Sequence, residues 1–201
     1  MPHSDFILGY GSLLSAYSRQ TYSGLNDDAI PVIATGWRRK WTVRYPDEGA
    51  TYLGVGPSES HSLEAALIPA QVTPELKHRE RGYDFIELDP ENLRPLGTDR
   101  TRLPEARFWI VVNQEHLKAE VHCPIPQTYV DTCLVGCLET GGMNMLQHFI
   151  QTTELWDAHW VNDRNRARPI YPRHTPVCPK QIQIIDDALE AENLLSFRIE
   201  G

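Results

Sequence analysis

The sequence has 201 residues, 41% of them hydrophobic and 23% charged, with a formal net charge of −8, which is enough chain for a self-sufficient core and argues against disorder. The negative balance disfavours nucleic acid or an anionic membrane surface as the main partner, because phosphate binding needs a strong positive field. The longest apolar runs, such as Phe6-Ile7-Leu8 and Trp109-Ile110-Val111-Val112, fall far short of the ~20 residues of a bilayer span, and with no basic-then-apolar leader the expected location is cytoplasmic.

The first element is a short apolar strand at 5–8 that runs straight into Gly9-Tyr10-Gly11-Ser12-Leu13-Leu14, a strand feeding a glycine-rich loop. Two glycines there allow backbone conformations closed to other residues and let a ligand approach the main chain. Exposed N–H groups of such a nest suit a carboxylate or a developing oxyanion; a tight turn after a strand accounts for the same residues equally well. The loop is not a P-loop, because no Gly-Lys-Ser/Thr follows, and not a nucleophile elbow, because positions 10 and 14 are Tyr and Leu. Ser12 is therefore not expected to act as a covalent nucleophile.

Further strand character falls at 31–34, 41–45, 52–55, 62–69, 83–88 and 107–113, separated by turn formers. Arg38-Arg39-Lys40, between Trp37 and Trp41, and the later group Arg164, Arg166 and Arg168 read as solvated strand edges or loops, with a local anion site as the alternative. Residues 73–82 read as a short helix with Thr73 as N-cap, Pro74 at the first position and Gly82 as the left-handed C-cap. Glu80 then falls in the last turn, where the negative end of the helix dipole raises a carboxylate's pKa. Facing a partly apolar pocket, it would move toward the range of about 6 to 7 that suits general acid–base work. Facing solvent, it would be an ordinary glutamate beside Arg79 and Arg81.

After the Pro-bounded stretch 122–126, residues 127–139 show helical spacing, with Val130, Leu134 and Leu138 on one stripe and Tyr129, Cys133 and Cys137 on the next. Gly141-Gly142 ends that helix, and 143–152 forms a second, so the pair makes a helical hairpin. The four cysteines, Cys123, Cys133, Cys137 and Cys178, are expected as reduced thiols and small core residues. Cys133 and Cys137, four residues apart on an apolar helix, fit burial better than a zinc site. No His-Glu-x-x-His and no Gly-x-Gly-x-x-Gly after a strand is present, so zincin and dinucleotide readings lack their anchors. The Trp-, Arg- and Pro-rich stretch 156–178 reads as a packed loop or lid, and a helix at 180–194 closes the chain.

Taken together, Gly9-Tyr10-Gly11-Ser12-Leu13, Arg79-Glu80-Arg81-Gly82-Tyr83 and Gln127-Thr128-Tyr129-Val130-Asp131 resemble, in order and spacing, the gamma-glutamylcyclotransferase-like family in its bacterial type. The resemblance spans residues 5 to about 150. It implies an α+β fold, a small mixed β-barrel with flanking helices, over residues 1–152, with 153–201 as a C-terminal extension packed on it and a possible lid. It also implies cyclisation of a gamma-glutamyl amide to 5-oxoproline and a free amine or amino acid, without metal or cofactor. Glu80 would be the acid–base residue, and Tyr10, Gly11, Ser12, Leu13 and Tyr129 would bind substrate, while Tyr83 would be structural. One departure stands out: Glu64-Ala65-Ala66-Leu67-Ile68-Pro69 lacks the Gly and aromatic residues the family often carries there, which leaves the shape of that pocket wall and the substrate's size open. The alternative on the same fold is a non-catalytic module that binds a small acid.

Overall fold

The structure, a computed structural model, describes residues 4–72, 83–97, 102–114 and 116–201. In chain order they form β1 (Asp5–Gly9), a 3-10 turn (Ser12–Leu14), α1 (Ala16–Ser23), β2 (Ile30–Tyr45), β3 (Ala50–Ala70), β4 (Tyr83–Leu88), β5 (Leu93–Pro95) and β6 (Arg107–Asn113). There follow β7 (Ile125–Pro126), α2 (Gln127–Thr152), β8 (Thr153–Glu154), β9 (Trp160–Asn162), α3 (Pro179–Ala191) and β10 (Arg198–Glu200). Among the described residues, seven strands make one mixed sheet in the order β4-β6-β1-β3-β2-β5 with β8 also on β2, curled into a half-barrel flanked by the helices. The architecture is the α+β one that the sequence leads one to expect.

β1 lies between antiparallel β3 (Ile7 opposite Ile68) and parallel β6 (Phe6 opposite Phe108), and all five of its residues are buried. A strand covered on both faces has no solvent side to alternate with, hence its unbroken apolar run. The separate strands expected at 31–34 and 41–45 are one strand, β2, and those at 52–55 and 62–69 are one strand, β3. Their shared ladder passes through irregularities at Thr35/Trp37 and Trp41/Val43 instead of ending there. Such bulges bend and twist a strand, which lets two long strands wrap around a core.

This continuity overturns the reading of Arg38-Arg39-Lys40 as a solvated edge for its middle residue, Arg39. Alternation sends Arg38 and Lys40 outward to Glu154, at 2.7 and 3.4 Å, and sends Arg39 inward. There its fully buried guanidinium lies 4.0 Å over the Phe149 ring and donates to the Glu64 carbonyl (3.1 Å) and Thr152 Oγ1 (3.2 Å). Arg164 is likewise drawn in, pairing with Asp131 at 2.7 Å and Asp186 at 2.8 Å, whereas Arg166 and Arg168 are exposed.

The break expected at Gly141-Gly142 is present, but as a kink within one helix, α2, and not as a hairpin of two: its halves meet at Gly142 with φ 67° and ψ −157°, a left-handed φ that favours glycine. Pro126 gives α2 no side-chain cap. Asp163 supplies it from across the chain, accepting from the Thr128 N–H (2.9 Å) and hydroxyl (2.8 Å) and from the Ile170 N–H (2.7 Å). One core layer fills the half-barrel with Phe6, Leu8, Val32, Leu67, Phe108 and Ile110. A second lies between the sheet and the helices, where Leu14, Trp41, Tyr129, Leu134 and Phe149 meet Trp156, Trp160, Tyr171, Ile185 and Leu189 of the last fifty residues. Cys123, Cys133 and Cys137 are buried as expected, but Cys178 is exposed: it begins α3, where its N–H donates to Gln181 Oε1 at 2.9 Å. Among the described residues, no helix is long and apolar enough to cross a membrane.

Candidate functional site

At the end of β1 the chain leaves the sheet through Tyr10 and Gly11 into the 3-10 turn. The turn closes through Leu14 N–H to the Gly11 carbonyl (2.9 Å) and Ser15 N–H to the Ser12 carbonyl (3.2 Å). The amides of Ser12 and Leu13 stand at its start and take no part in its ladder. From below, the buried Arg19 clamps the turn by donating to the carbonyls of Leu13 (2.8 Å) and Leu14 (2.7 Å). α2 also presses against it at Gly136, where a Cβ would come within 2.4 Å of the backbone of Leu14 and Ser15. That contact fixes the loop's height above the helix.

The glycines of the loop act differently from the expectation. Neither Gly9 nor Gly11 has a positive φ; what each contributes is the missing Cβ. A Cβ on Gly11 would sit 3.0 Å from the Tyr129 hydroxyl, and one on Gly9 would sit 2.6 Å from Ile68 Cδ1. The loop backbone and the Tyr129 hydroxyl are thus in direct apposition. Tyr10 turns its ring away, its hydroxyl donating to the Val111 carbonyl at 2.7 Å, while its own carbonyl lies 3.5 Å from Arg39 Nη1.

Tyr129 is the centre of a packed aromatic cluster, with ring centroids 4.7 Å from Tyr52, 4.8 Å from Tyr171 and 6.0 Å from Trp41. The Ser12 side chain faces the Tyr171 phenol, and the Tyr52 hydroxyl donates to Glu48 Oε2 at 2.5 Å. Tyr45 packs on Tyr52 at 5.6 Å, and its hydroxyl meets that of Tyr83 at the start of β4. Burial pushes the phenols of Tyr10, Tyr52, Tyr83, Tyr129 and Tyr171 above their ordinary pKa, and burial likewise pushes Cys133 up and Cys137 up to about 12. These groups stay neutral near pH 7, so they offer hydrogen-bond donors and acceptors and no base. Arg173 stands at the edge of the cluster, 5.4 Å over the Tyr171 ring and 3.5 Å from Glu48.

The structure therefore brings Tyr10, Gly11, Ser12, Leu13 and Tyr129 together, while Glu80 and the helix expected at 73–82 lie outside the described residues. Tyr52, Tyr171, Glu48 and Arg173 belong to the same cluster and were not singled out as site residues from sequence. The only local hint was the pairing of aromatic and basic residues in Tyr171-Pro172-Arg173, inside a stretch without periodicity. Of two clefts of about 530 and 470 Å³, the first shares Glu48 with the cluster and is lined also by His122, His159 and Arg166, and the second is lined by Asp131, Arg164 and His174. Among the described residues no three His, Cys, Asp or Glu side chains converge as metal ligands.

No protein-family model and no curated protein matches the sequence. Solved structures do match. A structure described as gamma-glutamyl cyclotransferase superposes with a TM-score of 0.52 at 12% identity, covering 90% of this chain and 98% of that one. YkqA from Bacillus subtilis gives 0.49 at 16% identity, covering 71% of this chain and 51% of that protein, so the chain spans about half its length. A gamma-glutamyl cyclotransferase specific to glutathione from yeast gives 0.39 at 12% identity over 94% of this chain and 97% of the other.

Proposed function

From a chain with the gamma-glutamylcyclotransferase-like fold, we propose a protein that cyclises a gamma-glutamyl amide, releasing 5-oxoproline and a free amine or amino acid. Glu80 is the acid–base residue, and the loop 10–13 with Tyr129 binds the glutamyl part. The observation that carries this reading is the apposition of the Gly11 backbone with the Tyr129 hydroxyl, with the Ser12 side chain facing Tyr171, on a fold shared with gamma-glutamyl cyclotransferase.

The chemistry asks for the parts this site offers. The substrate's own alpha-amine, once the extra proton of its ammonium form has passed through Glu80 to solvent, attacks its gamma-carbonyl; a ring C–N bond forms, the amide C–N bond breaks, and one further proton passes from the attacking nitrogen through Glu80 to the leaving nitrogen. The amine, with a pKa of about 8, is mostly protonated near neutral pH, and an unperturbed glutamate near 4.3 is almost 4 units weaker as a base, roughly 5 kcal/mol. A carboxylate raised to about 6.5 recovers around 3 kcal/mol of that gap. Holding the substrate in a ring-closing conformer lowers the barrier further. The amides of Ser12 and Leu13 and the neutral Tyr129 hydroxyl are suited to the tetrahedral oxyanion, since donors fixed before the reaction cost no reorganisation.

Incubation with gamma-glutamyl dipeptides, glutathione and gamma-glutamylamines, followed by chromatographic detection of 5-oxoproline, tests the reading. Release from at least one compound, at a rate proportional to protein, is the expected result. Silence across the panel from protein that still binds 5-oxoproline would support the non-catalytic module instead.

A further inference from the structure

The segment between β9 and α3 delivers two residues to the site, and the second has no role in the cyclisation itself. Tyr171 is buried against Tyr129 and Tyr52, with the Ser12 side chain facing its phenol, so its position is set by residues that also meet the loop. Arg173 is then held two residues on, its guanidinium over the Tyr171 ring and its side chain 45% exposed. Its acidic neighbour Glu48 is a distant partner: both guanidinium contacts measure 3.5 Å, whereas Glu48 Oε2 already accepts the Tyr52 hydroxyl at 2.5 Å. Arg173 is also the cation that opposes the upward shift of Tyr52, Tyr83 and Tyr171, which places positive charge toward the phenols from the outer side.

We infer that Arg173 is a specificity residue, whose guanidinium fork engages a carboxylate on the leaving part of the substrate. This rests on the cyclisation reading above. A planar fork with five donors matches a carboxylate through two parallel hydrogen bonds, and stacking on Tyr171 pre-orients it. In that reading the Ser12 end of the site holds the glutamyl group, and Arg173 lies at the exposed rim, where the leaving part emerges. The site would then favour gamma-glutamyl amino acids or peptides over gamma-glutamylamines.

The test compares gamma-glutamyl-alanine with gamma-glutamyl-ethylamine, which lacks the carboxylate, in the wild type, Arg173→Ala, Arg173→Lys and Glu48→Gln. Arg173→Ala is expected to raise KM for the dipeptide about tenfold, with kcat for it and both constants for the amine unchanged, and Arg173→Lys falls between. Glu48→Gln keeps an acceptor for Tyr52 but no longer competes for the guanidinium, and so lowers KM for the dipeptide alone. Equal changes on both substrates, or no change in any variant of unchanged thermal stability, overturn the inference while leaving the cyclisation intact. Wild-type protein that releases 5-oxoproline from neither overturns the reading beneath it, and the inference with it.

Discussion

The site depends on a carbon atom that is absent. At Gly11 a methyl group would meet the Tyr129 hydroxyl at 3.0 Å, and Tyr129 has little room to give because Tyr52, Tyr171 and Trp41 surround its ring. Gly11→Ala is therefore expected to cost about 1–2 kcal/mol of stability through overpacking. Part of that should return in Gly11→Ala with Tyr129→Phe, which removes the opposing oxygen. Chemical denaturation of the two single variants and the double variant measures the coupling; strict additivity would show that the two residues do not touch. The loop and Tyr129 were legible in the sequence because each sits in a short local pattern. Tyr52, Tyr171 and Arg173 were not, because their role exists only once strand β3 and the segment before α3 meet, and no local spacing encodes that meeting. Arg39 misled for a related reason: a charged residue between two charged neighbours reads as surface until the alternation of a continuous strand carries it inside.

At the scale of elements, α2 presents Tyr129 from its first turn, so the site inherits the stability of that turn. With Pro126 giving no side-chain cap, the helix start depends on Asp163, which is fully buried and accepts from the N–H groups of Thr128 and Ile170. Asp163→Ala leaves those buried donors unsatisfied and is expected to cost on the order of 3 kcal/mol. A calorimetric melt measures it, and a Tm within a degree of the wild type would contradict the capping role. The break of α2 at Gly142 was readable from the glycine pair. The fusion of paired strand segments into β2 and β3 was not, because residues such as Gly36 and Pro57, which read as punctuation, sit at a bulge that the partner strand carries through.

For the whole molecule, we propose that 1–152 and the extension 153–201 stand or fall together. Trp156, Trp160, Tyr171, Ile185 and Leu189 share one core with Trp41 and Tyr129. At about 1.5–3 kcal/mol for each large buried apolar side chain, their loss rivals the 5–15 kcal/mol that separates a typical domain from its unfolded state. A chain ending at residue 152 should lose cooperative thermal unfolding, whereas a sharp melt with unchanged affinity for 5-oxoproline would show the extension to be dispensable. The fold as a whole was legible from the order of a few motifs, while the sharing of the core was hidden in the irregular stretch 156–178.

We propose that Glu80 carries the proton in a cyclisation staged on the loop 10–13, and 5-oxoproline release by the wild type and Glu80→Gln, assayed side by side, checks this directly. Glutamine keeps the shape and cannot titrate, so kcat is predicted to fall by about 10²–10⁴ in a variant whose circular dichroism and Tm match the wild type. A folded Glu80→Gln protein that turns over at the wild-type rate would remove Glu80 as the acid–base residue.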